Sequence, residues 1–219
     1  MKAQQAAGTP QEREEGLTLN CLDSIAHALA HFSANRSDDY GFHNQKWAIL
    51  SVAHATEMFC NLLLLAIDPG HPNGPKYPDI EKAINRLKGQ RSAKLSNGER
   101  HAIKNIIPGL EKQRNELMHR LPPPKLDMEQ TALALLALLY LIRHRTGTRT
   151  NDLFDQHPLI EQDVIDELGL KKQDLWFALA EELMLEDYGE QHLEHCENCG
   201  RFTLTPDMGC QACFTDRRF

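Results

Sequence analysis

This chain predicts an all-α fold: an up-and-down helical bundle with accessory helices and a small cysteine-bearing ribbon at the C-terminal end. Three observations predict it. Apolar residues recur at helical spacing over most of the chain, with almost no sustained alternation. The stretches between them are short or proline-rich, as antiparallel helical neighbours require. Four cysteines near the C-terminus stand in two C-x2-C pairs. A chain of 219 residues can bury one sizeable core and carry an appendage. The expected division is a disordered tail over 1–16, the bundle over 17–147, acidic accessory helices over 148–190 and the ribbon over 191–219.

Each element follows from its spacing. The first sixteen residues are polar and lack the apolar run of a secretory signal, which places the chain in the cytoplasm. From 17 to 35, Leu17, Leu19, Leu22, Ile25, Ala28, Leu29 and Phe32 form one apolar stripe. A second helix runs from Phe42 to Ile67 with Trp47, Leu50, Ala53, Met58, Leu62 and Leu65, and stops at Asp68-Pro69-Gly70. Pro72, Pro75 and Pro78 make the next stretch a loop, and a short helix spans Asp79 to Lys88. Glu99 to His119 is helical, with Pro108-Gly109 predicting a kink or restart because proline removes a ladder bond. Leu126 to Arg145 is the most apolar helix. Its run from Thr131 to Ile142 falls far short of the roughly 20 residues a membrane span needs, so it reads as a buried helix with no membrane role. Two acidic helices follow, Leu159 to Leu168 and Lys171 to Tyr188.

The formal net charge of -7 argues against a generally basic nucleic-acid binder, but the charge is unevenly placed. Lys82, Arg86, Lys88, Arg91, Lys94, Arg100, Lys104, Lys112, Arg114 and Arg120 crowd one segment. That suits focused attraction of a polyanion, and equally a solvated helical face. Within this segment lies Arg114-Asn115-Glu116-Leu117-Met118-His119, just before Leu121-Pro122-Pro123-Pro124. Arginine stabilises negative charge on phosphate and histidine moves protons near neutral pH, although a cation at a helix C-terminus has the same residue types. Arg114 and His119 project about 140° apart and roughly 7.5 Å along an ideal helix, so they do not converge on one straight element. Pro122 disfavours helical backbone at Leu121, which predicts that the turn carrying His119 unwinds; Leu110, Leu117 and Leu121 anchor the helix.

The motif resembles the signature of HEPN domains, helical modules that often act as metal-independent ribonucleases. The likeness extends to the Ala-rich helix Trp47 to Met58 with its interior Glu57, and covers about residues 17 to 147. It implies a homodimer whose motifs share one cleft and which cleaves RNA by attack of the ribose 2'-hydroxyl, leaving 2',3'-cyclic phosphate ends. Carried onto this chain, His119 is the general acid or base, Arg114 stabilises the phosphoryl oxygens, and Asn115 orients the substrate or His119. Glu57 pairs with and holds Arg114, and Lys112 and Arg120 contact the RNA backbone. A toxin or antiviral role with an antitoxin or regulatory partner fits such a family, as does a non-catalytic module that binds nucleotides or partners.

Cys196-x2-Cys199 and Cys210-x2-Cys213, ten residues apart, suit one tetrahedral Zn2+, with Gly200 supporting the turn. Disulfides need an oxidising compartment, and a redox pair needs only one C-x2-C. A four-thiolate set is closed and therefore structural. It folds a segment too poor in apolar mass to fold alone. Arg201, Phe202, Phe214, Arg217, Arg218 and Phe219 could grip RNA, dock on the bundle or bind a protein. Cys21 and Cys60 read as small core residues, and His192 and His195 as exposed. His27 and His31 stand four apart but no third metal ligand is visible in the sequence. Lys171 and Lys172 are too few for the acidic helices to read DNA, which favours a protein-docking role.

Overall fold

Helix follows the apolar spacing through most of the chain. The computed structural model describes residues 9–34, 41–71, 78–89, 95–119, 126–146, 160–205 and 209–213. Among them α1 spans Pro10–Ala34, α2 Gly41–Ile67, α3 Ile80–Gly89, α4 Asn97–His101, α5 Ile107–His119, α6 Met128–Thr146, α7 Ile160–Glu167 and α8 Leu170–Tyr188. Strands β1 Glu194–Cys196, β2 Arg201–Thr205 and β3 Gly209–Cys210 form one antiparallel sheet in chain order.

The tail predicted to be disordered over 1–16 is corrected in its second half, since residues 10–16 belong to α1. The cause is a capping box. Glu12 N–H donates to Thr9 Oγ1 at 3.2 Å while Thr9 N–H donates to Glu12 Oε2 at 2.7 Å, and Pro10 takes the first helical position, where its missing N–H costs nothing. Arg13 then ties this end of α1 to the far end of α2 by donating to the Pro69 and His71 carbonyls.

α1 and α2 make the most extensive helix pair. Cys21 meets Ala55, Ser24 meets His54 and His31 meets Asn44, so the two run antiparallel. α2 is long and apolar enough to cross a membrane, yet 78% of that window is buried inside the fold, packed on α1, α3, α5 and α6. Cys21 and Cys60 sit in this core, and burial pushes the Cys21 thiol up to about 12.

The proline expected to kink Glu99 to His119 is absorbed differently. Between α4 and α5 the chain makes a π turn, Ala102–Ile106, in which Ile107 N–H reaches back to the Ala102 carbonyl. Proline has no N–H for the i−4 carbonyl and its ring clashes there, so a wider turn just before Pro108 relieves both faults.

α6 is buried along its whole length from Ala134 to Arg143. Val164, Ile165 and Leu168 cover it from α7, and Trp176, Ala180, Leu183 and Met184 join the same apolar cluster from α8. A polar joint locks α4, α6 and α8 together. Tyr140 donates to Asp187 Oδ2 at 2.7 Å, and His144 Nδ1 lies 3.0 Å from the Tyr188 hydroxyl. Arg145 pairs with Glu99 at 3.0 Å, the same Glu99 that closes a capping box with Ser96. Gly98 lets α4 sit close to this joint, where a Cβ would stand only 3.1 Å from both Asp187 Oδ2 and Tyr140 Cε1. Burial and the Asp187 carboxylate raise the Tyr140 hydroxyl well above its usual range, so it stays a donor.

Two outcomes follow. Tyr140→Phe leaves a buried carboxylate short of a donor and should lower the unfolding free energy by about 1–3 kcal/mol, read from urea midpoints. His71 is buried, donates to Asn61 Oδ1 at 3.0 Å, and is held below its ordinary value of 6.5, first by burial and then by Arg86. The unfolded chain therefore takes that proton at higher pH than the folded one. Its contribution is fully present above pH 6.5 and is lost as pH falls below it. His71→Gln should flatten that acid-side loss in denaturation curves collected between about pH 7 and 5.

Candidate functional site

The four predicted ligand cysteines come together. Cys196 ends β1, and the turn behind it closes through Gly200 N–H to the Cys196 carbonyl at 2.8 Å with Gly200 at φ 70°. Cys210 ends β3 after Gly209 at φ 68°, and Cys213 N–H donates to Cys210 Sγ at 3.3 Å. All four sulfurs lie within 4.8 Å of one another, with Cys196–Cys213 and Cys199–Cys210 both at 3.7 Å. A disulfide would need about 2.05 Å, so these are free thiols. Four sulfurs each about 2.3 Å from a central ion stand roughly 3.8 Å apart in a tetrahedron, close to the 3.7 Å of those two pairs. The set can hold one metal ion.

Its electrostatics suit a cation. The hydrogen bond from the Cys210 thiol pulls Cys196 down to about 6 against the opposing effect of burial. Cys210 itself is pushed far up by its bonds to the other three thiols and by burial. One thiolate forms readily, while Cys199 and Cys210 hold their protons until a positive partner arrives, which is how metal binding displaces protons from such a cluster. Thr203, fully buried and 3.1 Å from Cys210 Sγ, supports the sulfurs from below, a role the sequence did not reveal.

The ribbon docks on α8. Trp176, fully buried, donates its indole N–H to the Ala212 carbonyl at 2.9 Å, between the last two cysteines' neighbours. Glu181 accepts from Phe202 N–H at 2.8 Å and meets Arg201 at 3.4 Å. Arg201 is thus engaged by its own chain, while Phe202 remains exposed. Phe214, Arg217, Arg218 and Phe219 lie outside the described residues. His192 and His195 are exposed, and His195 packs edge-on against Phe202 rather than joining the sulfurs.

The motif helix behaves differently. Leu110 and Leu117 anchor α5 as expected, and Leu121 lies outside the described residues. The helix continues through His119, so the predicted unwinding of that turn does not occur. Arg114 and His119 stay on diverging faces and do not meet within one chain. Arg114 is half-buried and donates to Asn115 Oδ1 at 3.1 Å, and Asn115 Nδ2 donates to Glu111 Oε1 at 3.3 Å. Asn115 therefore faces back along α5 and positions Arg114, not His119.

The expected Glu57–Arg114 pair is also absent among the described residues. Arg114 is also the smallest of the influences on the Asp79 and Glu111 carboxyls. Asp79 is held below the usual carboxylate range first by its bonds from Lys82, with Arg114 adding to them. Glu111 is held above it by burial and by Glu81, with Lys88 and Arg114 opposing. The i, i+4 spacing of Glu111 and Asn115 was a sequence signal for this chain of bonds; Asp79 had none, because α3 is brought beside α5 only by folding. His119 is exposed at the end of α5, beside Met118, which is 53% exposed. Lys112 is exposed, as are Arg86, Lys88 and Lys104, while Arg120 lies outside the described residues. No family model, curated protein or solved structure matches the chain.

Treatment with a strong chelator should dissolve the ribbon and leave the helices standing. Far-ultraviolet circular dichroism should change little, while the emission of Trp176 shifts to the red as its contact with Ala212 is lost. A collapse of helicity would show that the ribbon is part of the bundle's core.

Proposed function

We propose that this chain is a cytoplasmic, metal-independent endoribonuclease of the HEPN type. It works as a homodimer, with the ribbon filled by a structural Zn2+. The observation that carries the reading is the disposition of α5: a guanidinium held by Asn115, and an imidazole left exposed at the helix end beside an exposed methionine. A pair of such helices brought end to end supplies two imidazoles and two guanidiniums to one cleft, which a single chain does not assemble.

In that cleft His119 of one copy takes the 2'-hydroxyl proton as the 2'-oxygen attacks phosphorus. Arg114 stabilises the charge gathering on the phosphoryl oxygens. The bond to the 5'-oxygen breaks, and the imidazolium of the second copy returns a proton to the leaving oxygen. The 2'-oxygen now bonds phosphorus in place of the 5'-oxygen, so a 2',3'-cyclic phosphate is the product. Lys112 and its exposed basic neighbours attract the RNA backbone, which gives a local positive face to an acidic protein. A toxin or defence effector restrained by a partner protein would use such chemistry.

One observation favours a second reading. Arg114 is half-buried and already bonded to Asn115 on its own helix, and a guanidinium so held suits a binding module that keeps a nucleotide without cutting it.

Arg114→Ala and His119→Ala should each lower cleavage of a mixed single-stranded RNA by about 10²–10⁴-fold without added divalent metal. The fragments should carry 2',3'-cyclic phosphate ends. Intact RNA, or cleavage that survives both substitutions, would leave the binding module as the better account.

A further inference from the structure

α1 and α2 leave a groove of about 460 Å³ between them, apart from α5 and from the cysteines. Its two ends follow from the antiparallel packing. At one end Ser24 meets His54, with Asp23 next to Ser24 on α1. At the other, Trp47 stacks on His31 at 6.5 Å between centroids and 21° between planes. Ser24 and His31 are seven residues apart on one helix, about 10 Å along its axis. Leu50, between Trp47 and His54 on α2, adds an apolar wall. The groove is therefore a trough, too long for one ion, and its volume falls within the roughly 300–1,000 Å³ of sites that hold small organic molecules.

Hydrogen-bond accounting shows what its walls can offer. The Ser24 hydroxyl has one proton, and its oxygen lies 2.8 Å from the Asn20 carbonyl and 2.7 Å from His54 Nδ1. Both contacts are bonds at once only if Ser24 donates to Asn20 and His54 Nδ1–H donates to Ser24. Asn44 Nδ2 donates to the Ala34 carbonyl at 3.2 Å, so it is Asn44 Oδ1 that lies 3.3 Å from His31 Nδ1, and that ring donates too. The single donor of the indole, Trp47 Nε1–H, goes to His43 Nε2 at 2.9 Å.

These donors are all engaged by the protein itself, and what remains is electron-rich. Each pinned ring, when neutral, keeps its lone pair on Nε2. Asp23 adds a carboxylate whose contact with His27 Nε2 is loose, at 3.8 Å with both side chains mostly exposed. Trp47 is 43% exposed and adds a π face. His27 and Ser51, also on the walls, accept as readily as they donate. Such walls favour a ligand that brings its own protons. The carboxylate balances one positive charge and stands at the Ser24–His54 end, whereas the His31–Trp47 end offers aromatic surface. A primary ammonium has three N–H donors and no acceptor, and an aromatic ring packs well on an indole.

We infer that the α1–α2 groove is a binding site for a small arylalkylamine. Its ammonium donates to the Asp23 carboxylate and to His54 Nε2, and its ring lies against Trp47 at the His31 end. Ser24 is a positioning residue, which holds His54 in the tautomer that accepts. The site is independent of the ribonuclease reading and of the ribbon.

The test uses the full chain with its ribbon loaded with zinc, titrated with 4-phenylbutylamine by calorimetry and by tryptophan emission. One equivalent should bind with a dissociation constant of about 1 mM or tighter, as a ligand of this size allows, and should change the emission of Trp47. 4-Phenylbutan-1-ol, which lacks the charge, and butylamine, which lacks the ring, should each bind about tenfold more weakly or worse. Asp23→Asn and Trp47→Ala, at exposed positions, should weaken binding of the amine by a similar factor. Ser24→Ala should weaken it by about three- to tenfold, and Ser24→Thr, which keeps the hydroxyl, should restore it. The assignment is overturned if the amine does not bind, if the alcohol binds as tightly as the amine, or if Asp23→Asn and Trp47→Ala bind the amine like the parent.

Discussion

A helix that is apolar around its whole circumference must be covered around its whole circumference, and α6 imposes that constraint on this protein. Ala134 to Arg143 are all buried, with no face left for water. α1, α2, α5, α7, α8 and the π turn all touch it. The arrangement of the other helices is the answer to that demand. Even the π turn serves it, because the turn absorbs Pro108 without breaking the run that lays Ile103, Ile107, Leu110 and Leu117 into the core.

Covering α6 from every side buries polar groups as well, and the joint at its C-terminal half shows how their desolvation is offset. Asp187 and Glu99 each have side chains only 3% exposed, and each is met by donors from other helices. A carboxylate buried without such donors would be costly, so the joint fixes where α4 and α8 can sit. α8 then carries that placement outward. The same helix that ends in Asp187 and Tyr188 holds Trp176 and Glu181 against the ribbon. The cysteine cluster is therefore not a loose appendage; its sheet is registered on the bundle through a buried indole and a carboxylate.

Along α5 the groups expected to act together are separated by helical geometry, and the hydrogen-bond partner of Arg114 is the Asn115 amide on its own helix. Across α1 and α2, two imidazoles are oriented through Nδ1 by neutral acceptors, His54 by Ser24 and His31 by Asn44. In the reading proposed above, a second copy of the chain completes the α5 arrangement.

Much of this was legible in the sequence. The helices and their order follow from apolar periodicity, and the two C-x2-C pairs marked their cysteines because ligand spacing is a local property. What stayed hidden depended on partners distant in the chain or on local caps overlooked among polar residues. Thr9 and Glu12 start α1 inside what looked like a tail. Thr203, Trp176 and Glu181 support the ribbon from positions without a recognisable pattern. The Glu57–Arg114 pair is not found among the described residues because a helix-interior glutamate can face any of several neighbours, and Arg114 bonds Asn115 on its own helix. The sequence by itself determined which stretches are helical and which sulfurs share a site, since both rest on spacing along one element or one turn. How Trp176 and Glu181 seat the ribbon on α8, and which donors meet Asp187 and Glu99, came only with the tertiary structure, because those contacts depend on how separate helices pack around α6.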